Sequence, residues 1–77
     1  MGTLAKLTKG TRAEILSFKD TLLPKSMMLG LGILPGDEVV LVSESFLGSP
    51  LTIKLSDGET VAMRISEASC INVKIIG

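Results

Sequence analysis

Apolar and polar positions alternate with a period of two over most of the chain, and the pattern predicts five short strands. From Thr11 to Phe18, Ala13 and Ile15 alternate with Arg12 and Glu14, after which Leu16 and Phe18 carry the apolar role on the opposite parity. That slip predicts a β-bulge. Glu38 to Val42 is rich in β-branched residues and apolar on both parities, which predicts a central strand with both faces covered. Leu51, Ile53 and Leu55 alternate with Thr52, Lys54 and Ser56. Asp57-Gly58 then predicts a two-residue hairpin turn into a return strand from Glu59 through Ile65, on which Val61, Met63 and Ile65 share a face. The last strand is marked by Ile71, Val73 and Ile75.

Three segments read as helical. Leu4 and Leu7, three apart, fit one turn that plugs an end of the fold. Pro24, Met28 and Leu31 follow at i, i+4 and i+7 and predict a short helix with one buried face. Its end is marked by Gly32 in the left-handed conformation, by Ile33 folding back onto Met28, and by Pro35. Leu34-Pro35-Gly36-Asp37 has the chemistry of a type II turn. Ser66 to Ser69 fits a single turn capped by Ser66. The whole predicts an all-β fold with one or two short helices, a small closed barrel, since an open sheet of strands this short would leave exposed edges.

Length and composition narrow the picture. A chain of 77 residues fits one domain spanning 1–77, with no repeat or linker, and buries only about 60% of its unfolded surface. With two Phe, no Tyr and no Trp, its interior must be aliphatic. Eight basic and eight acidic side chains cancel, so no field draws in nucleic acid or a charged membrane surface. Cys70 is the single cysteine, which fits a reducing compartment and predicts a cytoplasmic protein. The apolar run Met27 to Leu34 is far short of a membrane span, and no signal sequence opens the chain. Lys6 stands where a myristoylation signal following Gly2 wants Ser or Thr.

The missing chemistry argues against an enzyme. No histidine is present, which removes the usual general base and the commonest transition-metal ligand. Cys70 has no imidazole partner and reads as a small buried hydrophobe. Glu38, Glu44, Asp57, Glu59 and Glu67 fall near turns or strand ends, where solvated charge is ordinary. Gly30, Gly32 and Gly36 lack the Lys-Ser/Thr of a phosphate loop. Met27, Met28 and Met63 offer only soft sulfur, which suits neither Fe2+ nor Mg2+.

Four pieces, in order, resemble the ferrous-iron transport protein A (FeoA) family. They are Leu31-Gly32-Ile33 before Pro35-Gly36-Asp37, the Leu47-Gly48-Ser49-Pro50 loop, the Val61-Ala62-Met63-Arg64 strand, and Ala68 followed by Ile71 and Val73. Leu4, Leu7, Gly10, Ala13 and Ile15 extend the resemblance to the N-terminus. It implies an SH3-like barrel of five to six strands. It also implies a cytosolic accessory of the ferrous-iron permease with its cytosolic GTPase domain, reaching the membrane only through that partner. A related module in iron-dependent repressors implies a second possibility, an Fe2+-binding chaperone or iron sensor. The chain departs from the family at Ser26 and Met27, where further basic residues are common, and at Ser49, where Asp commonly precedes the proline.

The surplus apolar positions then acquire a use. If Met28 and Leu31 face the barrel, Met27 and Leu29 point elsewhere on so short a helix. Lys25, Met27 and Leu29, with Phe46 and Leu47 of the loop, are therefore the expected docking residues, for the permease or for a second copy in a homo-oligomer. The alternative is that they cap the barrel's open end. No catalytic residue, metal ligand or required cofactor is expected; Fe2+ enters only as the ligand of the chaperone reading.

Overall fold

The computed structural model describes residues 2–19, 30, 32–44 and 50–77. Six strands form one antiparallel sheet: β1 (Gly2–Thr3), β2 (Arg12–Phe18), β3 (Glu38–Ser43), β4 (Leu51–Leu55), β5 (Thr60–Met63) and β6 (Ile71–Ile75). Their spatial order is β1-β6-β2-β3-β4-β5, so the C-terminal strand inserts between the first two. A 3-10 turn over Leu4–Lys6 follows β1, and a four-residue helix, α1 (Ile65–Ala68), joins β5 to β6.

Each strand bears out its alternation where the barrel needs an inner wall. Ala13, Ile15, Val39, Leu41, Leu51, Ile53, Met63, Ile71 and Val73 are buried in one aliphatic cluster, completed by Leu4, Leu7, Ile33 and Ala68. No polar or charged side chain is buried among the described residues. The slip in β2 is real, because the pairing with β6 shifts between Ile15 and Ser17, and Phe18 on the new parity packs against the core. Asn72 Nδ2 donates to Ser17 Oγ at 3.0 Å across this bulge.

Several expectations are corrected. β3 is central, between β2 and β4, yet its outer face is only partly covered among the described residues: Val40 is half-buried and Val42 is 40% exposed. Its pairing with β4 shifts between Leu41 and Ser43, leaving Val42 as the extra residue, and its β-branched composition reflects the pleated backbone more than burial on two sides. The hairpin loop has three residues rather than two. Leu55 N–H donates to Glu59 O at 2.7 Å and Gly58 N–H to Leu55 O at 3.0 Å, a turn plus bulge that places Gly58 at φ 94°.

The return strand stops at Met63 instead of Ile65. Glu67 Oε1 accepts from Arg64 N–H at 2.7 Å, which makes Arg64, and not Ser66, the N-cap residue that precedes α1. Ile65 is thereby turned outward, 44% exposed. Ile75 keeps the parity of Ile71 and Val73 but lies past the end of the core, and is 61% exposed.

Among the described residues β1 and β5 are the two ends of the hydrogen-bond ladder. The barrel is completed by packing of the 3-10 turn against α1. The expected plug is the closing piece, with Leu4 fully buried and Leu7 nearly so.

Candidate functional site

All five expected docking residues, Lys25, Met27, Leu29, Phe46 and Leu47, lie outside the described residues, as does the helix read over Pro24 to Leu31 apart from Gly30, which is helical and exposed. What the structure places is their flanks. The first segment leaves after β2, whose exit is fixed by Lys19 N–H donating to Cys70 O at 2.7 Å. Its return is marked by Gly32 at φ 79°, the left-handed stop that the sequence predicts. Ile33 is fully buried. The type II turn comes next as expected, with Asp37 N–H donating to Leu34 O at 3.1 Å and Gly36 at φ 96°. Asp37 Oδ2 accepts from Leu34 N–H at 2.9 Å and fixes this turn at the start of β3.

The second segment leaves at the other end of β3. Glu44 Oε1 accepts from Lys9 N–H at 2.7 Å, and Gly10 N–H donates to Leu41 O at 2.8 Å, so the turn before β2 is tied to the end of β3. The two flanks are therefore separated by the length of a six-residue strand, about 17 Å at the usual rise.

Two exposed apolar residues beside these flanks were not expected. Leu34, 47% exposed, sits where the first segment re-enters. Ile65 lines a cleft with Leu7, Leu41, Leu51 and Glu44 beside the second. Ile65 was hidden in the sequence because its spacing from Met63 continues the strand alternation; Glu67, three residues beyond Arg64, was the available sign that a helix starts there.

The described residues do not fit a resident metal. Cys70 is half-buried, and its Sγ lies 3.4 Å from Ser66 O, to which it donates. No group of three or more His, Cys, Asp or Glu converges among the described residues. Among these residues, no helix is long and apolar enough to cross a membrane.

A barrel of short antiparallel strands with a single helical turn before its last strand defines an SH3-like domain. The profile of the FeoA domain matches residues 2–75, and the chain belongs to that family. Among solved structures it is similar to FeoA from Stenotrophomonas maltophilia in complex with zinc, at 29% identity and a TM-score of 0.81, covering 96% of this chain and 91% of that one. That protein is described as a prokaryotic SH3 domain protein put forward as a ferrous iron transport activating factor. FeoA from Chlorobium tepidum is 28% identical, with a TM-score of 0.84 over 97% of this chain and 70% of that one. The manganese regulator SloR is 25% identical, with a TM-score of 0.82; the match covers 97% of this chain but 34% of the regulator. Comparison with curated proteins gives no significant match.

Proposed function

We propose that this chain is a cytoplasmic accessory protein of ferrous-iron uptake, which works as one 77-residue unit by docking onto the cytosolic GTPase part of the ferrous-iron permease and performs no catalysis. The observation that carries this reading is the family match over residues 2–75, supported by the transport-activating role put forward for the Stenotrophomonas protein. Binding fits the residues better than chemistry does: the chain has no histidine, and the buried set among the described residues is purely apolar. Lys25, Met27 and Leu29 form one part of the docking surface and Phe46 and Leu47 another. The exposed side chains of Leu34 and Ile65 lie next to their flanks.

Co-purification with the permease, with and without guanine nucleotide, tests the reading. Retention of the wild-type chain and loss of the double variant Met27→Glu, Leu29→Glu, with its circular dichroism unchanged, is the expected result. Equal retention of the folded variant refutes these residues as the surface, and no retention of wild type under any nucleotide condition refutes the docking.

The zinc complex of the Stenotrophomonas protein favours a second reading, direct carriage of a divalent metal. Anaerobic calorimetry with Fe2+ separates the two. Heat with submillimolar affinity supports carriage, and its absence leaves iron as the cargo of the partner.

A further inference from the structure

We propose that Asp57-Gly58 is a self-modification site: in the opened loop this bond isomerises to isoaspartate through a succinimide, and the folded loop holds the reaction off. Of the four Asp and Asn residues in the chain, only Asp57 precedes a glycine. Asp20, Asp37 and Asn72 precede Thr21, Glu38 and Val73, whose side chains hinder ring closure.

The reaction needs no co-reactant beyond water. Gly58 N attacks Asp57 Cγ, and its proton leaves with the carboxyl's hydroxyl group as one water. A water then adds to either carbonyl of the five-membered ring. At Cγ it breaks the new C–N bond and restores aspartate. At the main-chain carbonyl carbon of Asp57 it breaks the original peptide bond, and the chain then runs through Cγ. One water is lost and one regained, with no change in oxidation state.

The folded loop opposes each requirement of ring closure. The nitrogen that must attack has its N–H donated to Leu55 O at 3.0 Å. The carboxyl group that must receive it is held elsewhere, with Asp57 Oδ1 accepting from Glu59 N–H at 2.9 Å. Leu55 N–H donates to Glu59 O at 2.7 Å and clamps the two ends of the loop. Rotation of Asp57 about its Cα–C bond toward the ring therefore breaks the turn. Bulk gives no protection, since a Cβ on Gly58 would meet nothing within 4 Å among the described residues. The safeguard is the set of hydrogen bonds within Leu55–Glu59.

The product cannot resume the native loop. Isoaspartate adds one atom to the main chain between Leu55 and Glu59, the pair that starts the β4–β5 ladder. From that pair follow Lys54↔Thr60 and, at the far end, Leu51↔Met63. Met63 is a core side chain, and a strand that slips loses its inward face. Isoaspartate at position 57 thus records that the loop has opened, and it unseats β5.

Incubation of the full chain at neutral pH, in buffer and in concentrated urea, tests the proposal. Trypsin then releases Leu55–Arg64 as one peptide, in which isoaspartate gives a second chromatographic peak of equal mass, identified against a synthetic standard. The same peptide incubated alone in both solvents corrects for the effect of urea on the intrinsic rate. The corrected rate is expected to be about tenfold or more slower in the folded chain, because the loop must first give up its hydrogen bonds. The isoaspartyl chain, separated by reversed-phase chromatography and refolded, is expected to melt lower than fresh chain by on the order of 4 °C or more. Equal corrected rates in the folded and unfolded chain overturn the protection, and absence of isoaspartate from the unfolded chain overturns the site. An isoaspartyl chain that melts with the fresh one overturns the link to the register of β5.

Discussion

The two edges of the sheet are built differently. β1 contributes two residues, Gly2 and Thr3, paired with Val73 and Asn72. Its hold on the fold comes from the next element: the 3-10 turn drives Leu4 fully into the core and packs against α1. β5 contributes four residues and one fully committed core side chain, Met63, while Val61 is only partly covered. One edge thus ends in a plug, and the other is a strand that no described strand pairs on its outer side. Among the described residues no ladder joins β1 to β5, and the 3-10 turn packed against α1 supplies the closure that pairing does not.

This difference is broken most severely at Leu4. Deleting a fully buried leucine side chain costs about 2–5 kcal/mol, through lost transfer energy and the cavity left behind. Because Leu4 closes the barrel between two elements that no ladder joins, Leu4→Ala belongs at the upper end. Val61→Ala, on the other edge, removes a half-covered side chain and costs about 1 kcal/mol. Urea denaturation of the two variants side by side checks the order. Equal midpoints would show that the two edges carry the same share of the core.

The inner wall was legible in the sequence because period-two alternation reports which side of a strand meets the core: Ala13, Ile15, Leu51, Ile53, Met63, Ile71 and Val73 all obey it. Even the bulge in β2 showed, since it moves Phe18 to the other parity. Parity fails where a strand outlasts the core or ends early. Ile75 continues the pattern into solvent, and Ile65 continues it into a helix. β1 was not legible at all, because two residues carry no period. Of the candidate site, the sequence yielded the Gly32 stop and the turn at Gly36, both confirmed by positive φ. The expected docking residues rest on the pattern of the chain and on the family resemblance.

A smaller effect sharpens the account of how β5 is aligned. Gly58 closes the three-residue loop with φ 94°, and a Cβ there would meet nothing within 4 Å. Substitution therefore costs only the left-handed backbone, about 1 kcal/mol for Gly58→Ala, or a fall of roughly 4–8 °C in Tm for a domain of this size. Gly58→Asn is expected to recover part of it, since Asn visits this conformation readily. If Gly58→Ala were neutral, the loop would have relaxed to another turn, and the register Lys54↔Thr60 would no longer be fixed by it.

The smallest effect lies where β5 gives way to α1. Glu67 Oε1 accepts the Arg64 N–H at 2.7 Å, a charge-assisted bond that satisfies a backbone donor at the point where the strand stops. Glu67 is half-buried, so its loss registers without approaching that of a core residue. Glu67→Ala is expected to cost about 0.5–1 kcal/mol, and Glu67→Gln about half of that, because the amide oxygen keeps the acceptor and loses only the charge. Amide hydrogen exchange at Arg64 is the discriminating measurement. Faster exchange in Glu67→Ala and near-native protection in Glu67→Gln would show that this one carboxylate sets where β5 ends and turns Ile65 outward. Unchanged exchange in Glu67→Ala would assign the turn to the burial of Ala68 alone.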